Sequence, residues 1–187
     1  MAKKKSKKSS NVAFIINLIV ILIGVLTLCT LFMPVFNIDN IVGEVLDYSI
    51  KGSDVISGAF ASEVTKEMSA GAAKIYALRN MEEISFIANV FSWGYIFALV
   101  LACASIVFAV LKLLNMKFKM ANVVIGGLLA FIAVVTFIFA IVLSSKYASI
   151  NTVFESVTSK AVINFGVYLL LLTLVGGLGQ VYIATKK

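Results

Sequence analysis

Long apolar runs alternate with shorter polar segments along this chain. Four of the runs carry no charge in their interior, and each is long enough to cross a bilayer, whose hydrocarbon core of about 30 Å takes roughly 20 helical residues. The predicted spans are residues 12–33, 87–111, 121–143 and 161–184. A β-barrel would instead alternate in polarity over segments of about ten residues, and the runs 18–23 and 169–174 do not alternate. The pattern predicts an all-α membrane fold, an antiparallel bundle of four transmembrane helices.

The placement of lysines predicts how such a bundle is oriented. All nine acidic residues fall in or beside the two segments 34–86 and 144–160, whereas the tail 1–11, the connection 112–120 and the tail 185–187 are basic. The lysines that set topology and touch lipid are Lys3, Lys4, Lys5, Lys7, Lys8, Lys117 and Lys119. Because positive charge is retained in the cytoplasm, we expect both termini to be cytoplasmic. The expected location is the plasma membrane, which in a bacterium is the inner membrane.

The basic N-terminal tail is followed at once by an apolar run, which raises two alternatives. A cleaved signal peptide has an apolar region of about 7–15 residues and a small-residue cleavage site, whereas the run 12–33 is longer and ends at Pro34 without such a site. We therefore expect the first helix to be retained. The tail has no aromatic residues to stack on bases, so its lysines indicate contact with anionic lipid and no nucleic acid partner.

The segment 34–86 is polar enough to form a small extracytoplasmic cap. Residues 46–51 alternate in polarity as a half-buried strand does, and 51–54 has the composition of a turn. Apolar residues then recur every three or four positions, which predicts one amphipathic helix with an interruption at Gly71 as an open alternative. The predicted stripe is Ile56, Phe60, Val64, Met68, Ile75 and Leu78.

The cover of that apolar stripe is left open by the sequence. The strand, the second outer segment 144–160, the membrane surface or another protein could supply it, and cover within the cap needs no partner. The segment 144–160 could pair with the strand around 46–50 as short β-strands, or form a helix, since its spacing does not decide.

Small residues four apart give the predicted spans flat faces for close helix contact. The pairs are Ala98 with Ala102, Ser105 with Ala109, Gly126 with Ala130, and Ala140 with Ser144. Packing within one chain and oligomerisation both use such faces. Polar residues in or at the ends of the spans are expected to bond across helices rather than to line a path; they include Asn17, Asn89, Ser92, Asn122, Thr173 and Gln180. Cys29 and Cys103 differ in predicted depth by roughly 15 Å, too far for a disulfide, and are expected to be buried packing residues.

Candidate chemistry within the spans is sparse. The chain has no His, and no Asp or Glu lies within the predicted spans, whereas intramembrane hydrolysis needs an activated nucleophile or metal ligands and a coupled carrier places ionisable groups at depth. We expect no enzyme activity, no catalytic residue, no metal and no cofactor. The sequence predicts a structural or interaction module, of scaffold or adhesion type, that acts through its cap. The alternative is a small transporter or channel subunit that forms a path as an oligomer. Membrane lipids, a protein partner or a second copy are the expected contacts.

This layout resembles the claudin-like tetraspan membrane proteins, with four helices, both ends inside, a long first outer loop and a short second one. The resemblance covers the whole chain as topology. The claudin first-loop signature, a tryptophan motif and a cysteine pair, has no counterpart in residues 35–86, and Arg79 before the second span is the one local feature in a similar place. The resemblance implies a left-handed four-helix bundle with a small, β-containing outer cap, and without the signature it does not extend to paracellular sealing.

Overall fold

The computed structural model describes residues 2–40, 48–114, 116, 118–150 and 159–185. Six helices lie within these ranges: α1 Ala2–Cys29, α2 Gly52–Phe60, α3 Ala70–Asn80, α4 Ser85–Leu113, α5 Lys119–Ile150 and α6 Phe165–Thr185. A short 3-10 turn, Thr30–Phe32, extends α1. The strands of the described chain are β1 Pro34–Asn40, β2 Tyr48–Lys51 and β3 Ser159–Ile163.

Four of these helices are long and apolar enough to cross a membrane, which confirms the central prediction from the sequence for the part of the chain described here. Their spans are Asn11–Phe32, Ser85–Leu113, Lys119–Tyr147 and Phe165–Thr185. Two ends differ from the sequence-based bounds. Helix α5 continues past Leu143 into the segment predicted as a loop, and α6 begins at Phe165 because Ala161–Ile163, predicted to start the fourth span, belongs to β3.

The long helices contact one another through residues without bulky side chains. Helix α4 packs on α1 and α5, and α6 packs on α1 and α5. Gly126 and Gly177 lie at the closest approach of α5 to α6, where a Cβ on Gly177 would stand 2.4 Å from the Gly126 carbonyl oxygen. A Cβ on Gly24 of α1 would likewise stand 2.5 Å from the Ile106 side chain of α4. Backbones can approach this closely only where no side chain intervenes.

The three strands form one antiparallel sheet in the order β2-β1-β3. Ile38 of β1 is in register with Tyr48 on one side and with Ala161 on the other. The sequence left open whether the second outer segment pairs with the strand around 46–50 or forms a helix. In the described chain, residues 144–150 belong to α5, and Ser159 and Lys160 pair with β1, which lies between them and β2. Residues 41–47, which include the first part of that predicted strand, and residues 151–158 of the second segment lie outside the described chain.

The predicted amphipathic helix is two helices. Helix α2 ends at Phe60, α3 begins at Ala70, and residues 61–69 connect them. The alternative of an interruption at Gly71 was also wrong, since Gly71 lies buried inside α3. A Cβ there would stand 2.6 Å from Asp54 Oδ2. The glycine therefore makes room for a carboxylate and does not break the helix.

The cap, defined here as residues 34–40, 48–84 and 159–163, has a hydrophobic core that it shares with α4 and α5. Phe36, Ile38 and Ile50 on one face of the sheet meet Ile75 and Leu78 of α3. Helix α4 adds Phe91 and Tyr95, and α5 adds Leu143 and Tyr147, to the same buried cluster. The rings of Phe36 and Phe91 lie 5.2 Å apart. The sheet thus folds against the ends of the long helices.

The contact of α5 with α6 yields a matched pair of glycine substitutions. Gly177→Ala should lower the free energy of unfolding by about 1–3 kcal/mol, because the new methyl group meets backbone that cannot move aside. Gly127→Ala should leave stability unchanged or raise it by about 0.4–1 kcal/mol, because nothing lies within 4 Å of a Cβ there. Unfolding of the purified protein in mixed micelles measures both, and equal effects of the two changes would contradict the described contact.

Candidate functional site

Helices α2 and α3 lie side by side and run in the same direction. Near their starts, Gly71 faces Asp54, and further along Gly58 faces Ala72 and Ile75. At their far ends Arg79 reaches Gly58 and Ala59. The nine-residue connection 61–69 is what returns the chain to the start of α3. Two parallel helices bring like ends of their dipoles together, which is unfavourable unless charge of the opposite sign is supplied.

Asp54 supplies the negative charge at the paired N-termini. Its Oδ2 accepts a 2.8 Å hydrogen bond from the Lys51 backbone N–H, the first orphan donor of α2. Its Oδ1 accepts a 2.6 Å bond from the Ser69 hydroxyl. Ser69 is in turn the N-cap of α3, since its oxygen accepts from the Ala72 N–H at 3.1 Å. One carboxylate therefore caps α2 directly and α3 through a serine.

Arg79 supplies the positive charge at the paired C-termini. It lies in the last turn of α3, and its Nη1 donates to the terminal carbonyls of α2 at Gly58, 2.9 Å away, and at Ala59. Its Nε donates to Asn89 Oδ1 of α4 at 2.8 Å. Asn89 then donates from Nδ2 to the Ser85 carbonyl at 2.8 Å. The guanidinium joins three helices, using the forked geometry that a lysine lacks.

The start of α2 is seated on the ends of α1 and α4. The Thr30 and Tyr95 hydroxyls are 2.8 Å apart in a hydrogen bond, and both residues are fully buried. Gly52 lies directly on them, since a Cβ there would stand 1.9 Å from the Tyr95 hydroxyl and 2.4 Å from the Thr30 carbonyl oxygen. No residue larger than glycine fits this position without displacing α2.

Two contacts fasten the other side of the cap to α5. The Lys74 ammonium of α3 lies 4.8 Å from the centroid of the Tyr147 ring, a cation–π contact. The Ser144 hydroxyl donates to the Ala161 carbonyl of β3. We name the set Asp54, Ser69, Arg79, Asn89 and Ser144 the cap frame. It holds α2, α3 and β3 on the long helices by hydrogen bonds at their ends.

A second polar group lies within the long helices. The Ser105 hydroxyl of α4 donates to Gln180 Oε1 of α6 at 2.6 Å, and Gln180 Nε2 donates to Asn122 Oδ1 of α5 at 2.9 Å. All three residues are buried. Lys112 Nζ donates to the Ile183 carbonyl at 2.9 Å. These bonds cross between helices, as the sequence analysis expected of Asn122 and Gln180.

The small residues predicted to pack helices lie at the following positions. Ala98, Ala102, Ser105, Ala109, Gly126, Ala130 and Ala140 are buried within the chain, and Ser144 is half-buried. Asn17 and Thr173 are buried as well. The expected bond across helices was wrong for Thr173, which donates to the Leu170 carbonyl of its own helix, and for Ser92, whose hydroxyl has no partner among the described residues. Within the described chain, Ser92 Oγ and Thr136 Oγ1 are the buried side-chain oxygens without a hydrogen-bond partner. The expectation of a buried Cys103 was wrong, because Cys103 is exposed while Cys29 is half-buried.

The predicted topology lysines are described only in part. Lys119 is exposed at the start of α5. Lys3, Lys4, Lys5, Lys7 and Lys8 lie in the first turns of α1, their side chains outside the description, and Lys117 is outside the described residues.

The predicted cap stripe divides into a buried and an exposed part. Ile75 and Leu78 are buried in the shared core, and Ile56 and Met68 are half-buried. Phe60 is 65% exposed and Val64 57% exposed. The Phe60 ring meets the Trp93 ring edge-on at 5.3 Å. The sheet and the long helices therefore cover the α3 part of the stripe, whereas Phe60 and Val64 stay exposed.

Sequence reasoning singled out neither Asp54 nor Arg79 as a joint between helices. The available signals were an acid in the first turn of α2 and an arginine in the last turn of α3, both favourable for a helix dipole. Nothing in their spacing indicates that each serves a second helix. Among the described residues, no group of three Cys, Asp or Glu side chains could hold a metal ion.

Comparisons with protein families, with curated proteins and with solved structures found no match for this chain.

The cap frame makes a direct prediction for Arg79. Arg79→Ala leaves the α2 carbonyls and Asn89 without their donor, so stability should fall by about 1.5–3 kcal/mol, the range for hydrogen bonds to a charged group. Amide hydrogen exchange should accelerate in α2 and α3 while the cores of α4, α5 and α6 stay protected. The stability of Arg79→Lys should lie between that of the native chain and that of Arg79→Ala, because one ammonium cannot reach all three acceptors.

The exposed Lys66 of the 61–69 connection supplies the control. Lys66→Ala removes the same charge from the cap without touching the frame, so exchange in α2 should be unchanged. Equal exchange in the Arg79 and Lys66 variants would show that the bonds of Arg79 do not hold the cap.

Proposed function

We propose that this chain is a non-enzymatic protein of the plasma membrane that crosses the bilayer four times and presents its cap outside as a preorganised interaction or scaffold module. In this proposal the four spans form an antiparallel bundle with both termini in the cytoplasm, a layout like that of claudin-like tetraspan proteins. The observation that carries the functional part is the cap frame, which fixes two short helices and a sheet on the ends of the spans.

Contacts between the long helices support the antiparallel bundle. Along α5, Gly126 meets Gly177 and Phe137 meets Tyr168, so rising numbers on α5 match falling numbers on α6. Ser144, further along α5, meets Ala161 of β3, which precedes α6. The same relation holds between α1 and α4, where Gly24 meets Ile106 and Thr30 meets Tyr95. Four spans whose neighbours run in opposite directions would place both chain ends on the same side of the membrane.

An aromatic level supports the outer membrane boundary. Gly94 of α4 lies against Thr136 of α5, and Phe137 packs on Tyr168 of α6 at 6.1 Å. Trp93, Phe137 and Tyr168 therefore lie within about one turn of the same height, and Phe32 matches them through the Thr30–Tyr95 pair. Tryptophan and tyrosine collect at membrane interfaces, where one end of the ring is apolar and the other wet.

The distance from this level to the lysines fits one bilayer. Lys112 follows Trp93 by nineteen residues, and Lys119 precedes Phe137 by eighteen. At 1.5 Å per residue these are rises of about 27–29 Å, close to the hydrocarbon thickness of about 30 Å. Large apolar side chains such as Val107 at 54% and Phe131 at 66% exposure lie between the two levels, and lipid would cover them.

The frame suits a role in binding because rigid surfaces lose less entropy on association. Helix α3 reaches α5 through Lys74, whose ammonium lies on the ring of Tyr147, ten residues beyond Phe137. On α5 this contact is about 15 Å beyond the aromatic level, so α3 lies on the outer side of that level. The end of α3 and the turn before α4 then lie outside the aromatic level, and Asn80 and Glu83 are exposed there.

The proposed orientation can be tested by labelling single cysteines in intact cells, in a chain with Cys29→Ala and Cys103→Ala. Lys66→Cys should react with a membrane-impermeant maleimide from outside. Lys119→Cys, also exposed, should react only after the membrane is opened, because it lies at the other end of α5. Reaction of both positions from the same side would exclude four crossings, and a reversed pattern would invert the topology.

The proposed function can be tested by a photo-activatable cross-linker at four positions. Residues 80 and 83 are exposed on the cap, and residues 107 and 128 are exposed on α4 and α5 within the proposed bilayer. Cap positions should yield one protein adduct of defined mass, and the two span positions should yield none. The captured protein should then bind the purified, reconstituted chain. Asn80→Lys with Glu83→Lys should abolish that binding, and Val107→Leu should preserve it.

Adducts from the span positions alone would indicate association through the spans instead of the cap. Movement of an ion or solute across sealed vesicles by the purified chain would favour a transport or channel subunit over an interaction module.

A further inference from the structure

We propose that the end of α2, together with the first residues of the connection 61–69, is itself a membrane contact, in which Phe60, beside Trp93, and Val64 enter the outer leaflet and seat the cap on the lipid surface. The inference rests on the proposed membrane placement and adds a lipid-facing surface that is not part of any span.

Both ends of α2 lie at about the same height along the long helices. Its start lies on Thr30 and Tyr95 through Gly52, and its last residue, Phe60, lies on Trp93. Both ends of the helix therefore meet α1 and α4 close to the aromatic level. A helix held at one height at both ends lies across the spans rather than along them, parallel to the membrane surface.

Among the described residues, the neighbours of α2 leave one side of this helix uncovered. Helix α2 contacts α3, α4, β2 and the 3-10 turn at the end of α1. Its buried residues are Gly52, Val55, Gly58 and Ala59. The opposite stripe, Ser53, Ser57 and Phe60, is exposed. Because α3 lies farther from the membrane, with Lys74 on Tyr147, the uncovered side does not face the rest of the cap.

The side chains on this uncovered side suit contact with lipid rather than with a charged surface. Phe60, at 65% exposure, lies on Trp93, itself 37% exposed, and Val64, four residues along the chain, is 57% exposed. The neighbouring charges Glu63, Lys66 and Glu67 are of both signs, so no basic patch selects anionic headgroups. Apolar side chains of this kind enter the boundary between headgroups and acyl chains, and their contact depends little on salt.

Trp93 is the single tryptophan of the chain, so fluorescence depth can test the proposal directly. The protein is reconstituted in phosphatidylcholine vesicles that contain lipid brominated high on the acyl chain, which quenches nearby indole rings. Native Trp93 reports the proposed membrane placement. In a Trp93→Phe background, Phe60→Trp and Val64→Trp report the end of α2. Glu83→Trp is the matched control, because it is exposed beyond the start of α4.

We expect Phe60→Trp to be quenched about as strongly as native Trp93, with a blue-shifted emission. Val64→Trp should also be quenched, Glu83→Trp should not, and high salt should change none of these results. Quenching at position 60 or 64 above the Glu83→Trp control supports the contact. If neither position exceeds the control while Trp93 is quenched, the inference fails and the four crossings stand. An unquenched Trp93 instead overturns the membrane placement itself, and quenching that high salt removes would assign the contact to charge.

Discussion

The parallel pairing of α2 and α3 is the constraint on which the cap depends. Two helices side by side in the same direction place two positive ends together and two negative ends together, an arrangement that raises the energy of both. Asp54 lies at the first pair of ends and Arg79 at the second, and each bonds to orphan backbone groups as well as supplying charge. Because Arg79 also bonds to Asn89 of α4, neutralising the helix ends and attaching the pair to the long helices are accomplished by one side chain. The cluster that Ile75 and Leu78 form with the sheet is then buried beneath a helix pair whose position is fixed.

Buried polar side chains also join the long helices to one another by hydrogen bonds. Ser105, Gln180 and Asn122 bond in sequence across α4, α6 and α5, so their polar atoms are directed at one another and away from the outer faces. Gly126 and Gly177 allow the backbones of α5 and α6 to approach within the same region. The small-residue faces are thus occupied by contacts inside one chain, and many outward residues of these helices, such as Val107 and Phe131, are large and apolar. That division suits a bundle whose solvent is hydrocarbon, where polar contacts and close packing, rather than hydrophobic burial, hold helices together.

The elements predicted well from the sequence are those set by a single strong signal. A run of about 20 apolar residues has few alternatives to a helix, so the four long helices follow from the sequence. Helix α5 extends beyond its predicted end because a helix can continue past the end of an apolar run. Strand β1 was not predicted, since its alternation of Phe36 and Ile38 with Asn37 is brief and follows a proline that also ends a span. The apolar residues Ala161–Ile163 fit a strand as well as a helix, so their composition does not decide between the two. Their partner strand, β1, is more than a hundred residues away. The break between α2 and α3 depends on Asp54 and Arg79 meeting residues fifteen to twenty-one positions distant, which no local period encodes.

The same contacts give the cap two faces of different character. Because α2 is held at the height of Trp93 and α3 lies beside Tyr147, the helix pair is layered, with one member near the aromatic level and the other beyond it. Phe60 at the end of the near member and Val64 just after it are apolar, whereas Asn80 at the end of the far member and Glu83 just after it are polar. A single amphipathic helix could not supply both, because its one apolar stripe would face one direction. Folding the segment back on itself through residues 61–69 directs one set of apolar residues into the core and leaves another at the proposed lipid surface. The parallel arrangement that makes α2 and α3 costly to pair is therefore also what allows one short segment to contact the core, the proposed membrane surface and the exterior at once.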